Sequence, residues 1–274
     1  MLESFDSIPH SLMLQAVSKH TDLRWVLLYV QRWLQAPLQK QDGTVVPRDR
    51  GTPQGSAISP VLANLFLHYA FDRFMARAFP GCPFERYADD AVVHCASKAK
   101  AIEVLAAISE RMKQVGLELH PDKTRIVYCK DTNRPGSHEH EQFTFLGYTF
   151  RPRWAKGKHG DFVGFLPAVS NDAAKTMRTV IKRWRFHRRS DLSLKDLADR
   201  VNPIVRGWVN YYGRFYKSGL YPSLQQINAY LRRWARRKYK RLRTSKRRTC
   251  TWLKCVARRA PALFAHWRLA GALP

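Results

Sequence analysis

Strand-like alternation of apolar and polar residues ends at about Asn171, and this change of pattern constrains the fold more than any other feature of the sequence. Before Asn171, helical and strand-like segments alternate, whereas every apolar segment after it repeats with a helical period. The first part therefore predicts an α+β layer, in which helices pack on one face of an antiparallel sheet, and the second part predicts an all-helical domain. We place the domain boundary between residues 168 and 169.

The first part contains three predicted helices, over residues 11–34, 59–78 and 98–115. Ser59 is expected to be the N-cap of the second helix and Pro60 its first residue. The apolar positions expected to form the buried faces of these helices are Leu12, Leu14, Val17, Leu28, Val30, Trp33, Val61, Leu62, Leu65, Phe66, Tyr69, Ile102, Leu105, Ile108 and Met112.

Strands are predicted over residues 117–120, 125–128 and 143–150, and hairpins at residues 42–43 and over 84–95. In the second part, three helices are predicted, with Pro203 in the first turn of the middle one. Their apolar positions are Met177, Val180, Ile181, Trp184, Val201, Ile204, Val205, Trp208, Val209, Tyr212, Phe215, Tyr216, Leu224, Ile227, Leu231 and Trp234.

Positive charge is concentrated in the second part of the chain. The formal net charge is +27, and residues 171–274 hold 27 Lys and Arg against 4 Asp. A field of that size favours a polyanionic partner, of which nucleic acid is the commonest. A basic surface that only keeps the protein in solution is the alternative. A membrane surface is disfavoured because the basic segments carry aromatic residues at core-like spacing rather than in one lipid-facing stripe.

The cysteine content and the absence of targeting signals narrow the class further. The five cysteines are never spaced as C-x-x-C, so neither a disulfide framework nor a zinc site is indicated. No run of 18 apolar residues occurs, and the N-terminus lacks the pattern of a secretion signal. We therefore expect a globular cytoplasmic protein without a membrane partner.

Two adjacent aspartates, Asp89 and Asp90, lie at the tip of the hairpin with the sequence "FERYADDAVVHC". Aspartate is also an ordinary turn residue, so the pair alone is a weak signal. Carboxylate oxygens presented side by side are nevertheless what hard divalent cations such as Mg²⁺ require. A pair of such ions can activate a hydroxyl and neutralise a leaving oxygen in phosphoryl transfer.

Four ordered motifs give the first part a specific resemblance. They read "GTPQGSAISPVLANLFLH", "RYADDAVV", "GLELHPDKTRIV" and "FTFLGYTF". A glycine-rich loop before a helix can cradle a phosphate or be a plain turn. In this order, however, the motifs resemble the palm of a reverse transcriptase of the group II intron-encoded type. The segment "RGWVNYYGRF" at residues 206–215 resembles the signature helix of the group II intron maturase domain, the thumb that grips intron RNA.

The resemblance implies an RNA-directed DNA polymerase with Mg²⁺ as cofactor. Asp89 and Asp90 would be its metal-binding catalytic carboxylates, and Tyr87 and Ala88 would flank the primer terminus. The implied partners are group II intron RNA, an RNA template with a DNA primer, and dNTP.

Further positions follow from the same resemblance. Gln54 and Gly55 would lie against the incoming nucleotide and template, and Phe5 would exclude a 2′-hydroxyl. Lys123 would neutralise pyrophosphate, or would be a solvated lysine at a strand end. The basic residues assigned to RNA are Arg206, Arg214, Arg232, Arg233, Arg236, Arg237 and Lys240.

One part of the family pattern is missing at the beginning of the sequence. Members of this family take a further carboxylate from a strand five residues before the position of Phe5, and that position falls before Met1. Glu3 and Asp6 are out of register with it. We therefore expect an N-terminally truncated chain, without fingers and inactive as a polymerase alone. It would be either a truncated open reading frame or one half of a split protein with a separately made N-terminal fragment. A non-catalytic RNA-binding maturase fragment and a remnant without function are the alternatives.

Overall fold

The computed structural model describes residues 7–39, 42–52, 56–134, 136–158, 160–269 and 273–274. Contacts divide the chain into two compact units, Met1–Ile126 and Val127–Pro274, here called the N-terminal and C-terminal units. Small antiparallel sheets are followed by a mostly helical C-terminal region, so the chain is of mixed α+β class. The domain boundary at residue 168, which was drawn from sequence pattern, stays a prediction.

The described residues of the N-terminal unit form five α-helices, one π-helical turn and two short hairpins. In chain order they are α1 (His10–Ser18), α2 (Arg24–Gln35), β1 (Leu38–Gln39), β2 (Val45–Val46), α3 (Ser59–Leu67), the π-turn (His68–Asp72), α4 (Arg73–Ala78), β3 (Phe84–Tyr87), β4 (Asp90–Val93) and α5 (Lys98–Gln114). The predicted hairpin at residues 42–43 is confirmed by the pairing of β1 with β2.

The single helix predicted over residues 11–34 is in fact two helices. The hydroxyl of Thr21 accepts a hydrogen bond from the backbone N–H of Leu23 at 3.2 Å, between α1 and α2. Such local bonds compete with helical ones, which explains the break. On α2, Leu28 and Trp33 are exposed although the periodicity predicted them as buried.

The helix predicted over residues 59–78 is confirmed, but Ser59 is its first residue rather than its N-cap, which is Ile58, and its middle is the π-turn. A π-turn accommodates one residue more than an α-helical turn and shifts the direction of the side chains that follow. Leu62 and Phe66 are buried as predicted, whereas Val61 is 60% exposed. The segment therefore buries a narrower face than its composition indicates.

Helix α5 agrees closely with its prediction. Ser97 caps it by accepting a hydrogen bond from Lys100 N–H at 3.2 Å, and Gly116 follows its end with a φ of 76°. Ile108 and Met112 are buried, but Ile102 is 52% exposed. The predicted bounds of α5 are therefore more accurate than its predicted buried face, and Ser97 and Gly116 explain where the helix begins and ends.

Two predicted strands after α5 are not formed as such. Among the described residues, 125–128 belong to no strand, and 117–120 contain only the single bridge residue Leu119. Tyr128 N–H donates a hydrogen bond to His140 O at 2.8 Å and the Tyr128 ring packs on His138, but these described residues form no strand ladder. Apolar content alone therefore overestimated the strand content here.

The C-terminal unit begins with a three-stranded antiparallel sheet in the order β5-β6-β7. Its elements are β5 (Phe143–Phe145), β6 (Tyr148–Gly157), β7 (Gly160–Val169), α6 (Asn171–Arg183), α7 (Leu194–Tyr212), α8 (Tyr221–Lys238) and α9 (Lys246–Arg259), with short 3₁₀ turns between the helices. The strand predicted over residues 143–150 is a hairpin, because Leu146 and Gly147 both have positive φ and form its turn. Among the described residues no strand follows Val169, which confirms the change of pattern at Asn171.

Helix α7 begins earlier than predicted, so Pro203 lies in its interior rather than in its first turn. A capping box formed by Ser193 and Asp196 sets the start of the helix. The core of this unit is built mainly from α7 and α8, and Trp234 and Val205 are fully buried in it.

A buried histidine makes the stability of the C-terminal unit dependent on pH. His266 Nε2 bonds Asn228 Oδ1 at 2.8 Å, and the same oxygen accepts from Trp267 Nε1 at 2.9 Å. His266 Nδ1 is buried without a hydrogen-bond partner among the described residues. Burial lowers the pKa of His266 from 6.5 to about 3, so the unfolded chain binds a proton that the folded chain does not.

We expect the free energy of unfolding to fall as the pH falls below 6.5, by about 2 kcal/mol between pH 6.5 and pH 5. Urea unfolding of wild type and His266→Gln at both pH values measures this difference. The variant should lose most of the pH dependence, whereas the control His138→Gln, at an exposed position, should keep it. An equal pH dependence in wild type and His266→Gln would contradict the assignment.

Candidate functional site

The two adjacent aspartates lie at a tight turn between β3 and β4. Tyr87 pairs with Asp90 across the hairpin, so Ala88 and Asp89 are the two residues of the turn. Ala88 has a φ of 53°, in the left-handed region that non-glycine residues seldom adopt. Asp89 and Asp90 are half-buried and Tyr87 is 64% exposed. The prediction of a hairpin with the aspartates at its tip is therefore confirmed.

Arg86 ties this turn to the π-turn. Its Nε and Nη2 donate to the two carboxylate oxygens of Asp72 at 2.6 and 2.7 Å, a bidentate pair in which the side chains are 10% and 22% exposed. Arg86 Nη1 donates to Ala88 O at 2.9 Å and to Asn64 Oδ1 at 3.0 Å. One guanidinium thus fixes the carbonyl of the strained turn residue that precedes the aspartates.

The two adjacent carboxylates of the turn favour the binding of a cation. Burial, and after it the neighbouring Asp89, raise the pKa of Asp90, while Lys123 acts in the opposite direction. Two carboxylates that repel each other would be stabilised by a divalent ion, and Asp89 and Asp90 are the side chains that could hold it. Within the described residues, no group of three or more His, Cys, Asp or Glu side chains is placed to hold a metal.

Three predicted site residues, Phe5, Gln54 and Gly55, lie outside the described part of the chain. Glu3 and Asp6, which are out of register with the further carboxylate, lie outside it as well. Lys123 is exposed, and its charge acts on Asp90. The roles predicted for all of these residues, and the predicted inactivity of the chain, stay predictions.

The segment 206–215 packs against the sheet of the C-terminal unit through its aromatic residues. The Tyr148 ring contacts Tyr211, Tyr212 and Phe215, with ring centroids 5.2 to 5.5 Å apart, and the Tyr148 hydroxyl donates to Tyr211 O. Tyr211 in turn donates to Leu146 O at 2.9 Å, in the β5-β6 turn. These contacts therefore hold the end of α7 against the sheet.

The basic residues assigned to RNA differ in their surroundings. Arg236 donates through Nε and Nη2 to Arg243 O at 3.2 and 3.0 Å, and Arg237 Nη1 donates to His187 O at 3.1 Å. Arg233 lies over the Tyr230 ring at 5.1 Å, and Arg232 is half-buried. Arg233, Arg236 and Arg237 therefore make contacts within the chain, which sequence reasoning missed.

The remaining three assigned residues are Arg206, Arg214 and Lys240. All three are exposed, and none forms an ion pair with a described residue. They are the members of the set whose charge is most available to a partner.

Membrane insertion of a helix is not supported by the described part of the chain, in which no helix is long and apolar enough to span a bilayer.

Comparisons with known proteins match both parts of the chain. Residues 2–150 match the family model for the reverse transcriptase, described as an RNA-dependent DNA polymerase. Residues 174–252 match the model for the maturase-specific domain of group II introns. An uncharacterized 91 kDa protein in the cob intron of Schizosaccharomyces pombe is 24% identical over 293 aligned positions, which cover 80% of this chain and 34% of that protein. The chain thus spans about a third of the length of this relative.

Proposed function

Because the chain belongs to the reverse transcriptase family and carries a group II intron maturase domain, we propose that it binds intron RNA and holds catalytic carboxylates for RNA-directed DNA synthesis. The observation that carries the polymerase part is the hairpin turn that presents Asp89 and Asp90 side by side. In this proposal, the first part of the chain is a polymerase palm and the region from residue 169 onward is the thumb.

The proposed chemistry is transfer of a nucleotide to the 3′ end of a DNA primer. An RNA template directs which nucleotide is added. Asp89 and Asp90 would hold Mg²⁺, and the chemistry supplied by the bound metal is activation of the primer 3′-hydroxyl and neutralisation of the leaving pyrophosphate. Arg86 positions the turn through Ala88 O. Tyr87 and Ala88 would border the primer end, and Lys123 would balance negative charge beside Asp90.

The proposal that the C-terminal region binds intron RNA rests on its charge. Residues 171–274 carry 27 Lys and Arg against 4 Asp, and such a field binds phosphate backbones with a strong dependence on salt. RNA with structured helices is recognised mostly through its shape and phosphates, so many exposed cations would share the contact.

The triple variant Arg206→Gln/Arg214→Gln/Lys240→Gln should bind intron RNA about 10- to 100-fold more weakly than wild type. If each residue neutralises one phosphate, the slope of log affinity against log salt should fall by about 2. Filter binding over a salt series measures both quantities. The control Lys175→Gln/Arg178→Gln/Lys195→Gln, at other exposed positions of the same region, should weaken binding less. Equal effects of the two triple variants would contradict the assignment of Arg206, Arg214 and Lys240 to the RNA contact.

Primer extension on an RNA template in Mg²⁺ tests the polymerase part separately. Incorporation of dNTP by the purified chain supports a complete centre. A chain that binds RNA but extends no primer would agree with the prediction that it is inactive alone, and would favour the second candidate function, a non-catalytic maturase role carried by the same basic region.

A further inference from the structure

A cleft of about 810 Å³ lies on the N-terminal unit, lined by residues of the helical segments around the π-turn. Its volume is within the range of sites that hold small ligands or parts of larger ones. The lining residues are Lys19, Tyr69, Arg73, Phe74, Arg77, Ala78 and Arg111.

The cleft collects four positive groups and, among its described lining residues, no carboxylate. None of the four, Lys19, Arg73, Arg77 and Arg111, forms an ion pair with a described residue. Like charges that share one concave surface raise the positive potential there and attract anions. This concentration of charge is separate from the basic C-terminal region, since it lies in a part of the sequence that is nearly balanced.

Several of these groups are held in place by the fold. Arg111 Nε donates to Ala70 O at 3.2 Å, at the π-turn. The Arg73 guanidinium lies over the Tyr69 ring at 5.7 Å from its centroid, and the Tyr69 hydroxyl bonds His20 Nε2 at 2.9 Å. Arg73 and Arg77 are four residues apart on α4, so they face the same side. The cations are therefore partly preorganised, which lowers the entropic cost of binding.

We propose that this cleft binds the phosphate backbone of an RNA strand, as a second RNA contact that is distinct from the C-terminal basic region. Guanidinium groups match phosphate oxygens in a planar, bidentate geometry, and three of the four cations are arginines. The rings of Tyr69 and Phe74 are half-buried in the same lining, and aromatic side chains beside arginines are typical of grooves that follow single strands. The proposal rests on the RNA-binding function proposed above.

The test compares two double variants of the full chain. Arg73→Gln/Arg77→Gln removes two cleft charges, and the matched control Lys98→Gln/Lys113→Gln removes two exposed charges of α5 that do not line the cleft. Filter binding of a single-stranded RNA over a salt series should give a slope of log affinity against log salt that is lower by about 1.4 in the cleft variant, at about 0.7 per phosphate. The control should keep a slope closer to that of wild type.

A second double variant, Lys19→Gln/Arg77→Gln, leaves Arg73 on the Tyr69 ring and decides the result if the first variant fails to fold, as judged by thermal unfolding. Unchanged slopes in the folded cleft variants would overturn the proposal. Calorimetry with inorganic pyrophosphate separates an RNA strand from a free phosphate ligand: loss of pyrophosphate binding with an unchanged RNA slope would also overturn it. A wild-type chain with no salt-dependent RNA binding would refute the function proposed above, whereas the difference between the double variants reports on the cleft alone.

Discussion

In an assay in which the wild-type chain extends a primer, replacing Asp90 by asparagine should lower metal-dependent nucleotide incorporation by about 1000-fold and leave the protein at least as stable as wild type. A bound metal stabilises the charge of the transition state by several kcal/mol in such reactions, and each 1.36 kcal/mol changes the rate tenfold. Asparagine mimics the neutral carboxyl, whose formation is favoured because burial and Asp89 raise the pKa of Asp90. The substitution therefore removes a metal ligand and a repulsion together.

Primer extension in Mg²⁺ and thermal unfolding of the same preparations measure the two effects. Glu85→Gln is the matched control, because Glu85 is an exposed carboxylate of the same hairpin that pairs with His94. It should retain incorporation. If Asp90→Asn and wild type both incorporate dNTP, and at equal rates, the turn does not hold a catalytic metal.

Replacing Asp72 by alanine should destabilise the N-terminal unit by about 3–5 kcal/mol. The change leaves the Arg86 guanidinium, 10% exposed, without its carboxylate partner, and an uncompensated buried charge costs far more than the pair itself contributes. Because Arg86 also holds Ala88 O, the aspartate turn should loosen as well. Urea unfolding monitored by tryptophan fluorescence measures the free energy.

The double variant Asp72→Leu/Arg86→Met is the informative comparison, since it removes both charges and fills similar volume. It should recover much of the stability lost in Asp72→Ala but should not restore the position of the turn. Stability of Asp72→Ala within about 0.5 kcal/mol of wild type, a difference typical of surface substitutions, would show that Arg86 finds water or another partner.

Local chemistry made some elements predictable. The hairpin at residues 84–95 follows from alternating apolar residues around a turn of aspartates, and α5 follows from Ser97 at its start and Gly116 after its end. The change at Asn171 was visible in the period of the apolar residues, and in the structure Ser170 caps a helix directly after the last strand. In each case the residues that decide the element are adjacent in sequence.

Features that depend on residues distant in sequence were not predictable in this way. The pairing of Arg86 with Asp72 requires the phase set by the π-turn, which no periodicity indicates. The internal bonds of Arg236 and Arg237 to backbone carbonyls likewise depend on how the turns fold back. Helix α9 was missed because its many basic residues conceal a buried face that includes Leu253.

The π-turn has a consequence for how such chains can change over generations. Deleting one residue from the π-turn would let α3 and α4 merge into one regular α-helix, and because the π-turn already accommodates one extra residue, the residues after it would keep nearly the same direction around the axis. A deletion in α3 that left the π-turn in place would instead rotate the following residues by about 100° relative to the start of α3, so that Asp72 would leave Arg86, and Arg73 and Arg77 would turn away from their cleft. A deletion within the π-turn should therefore be tolerated more readily than a deletion in α3.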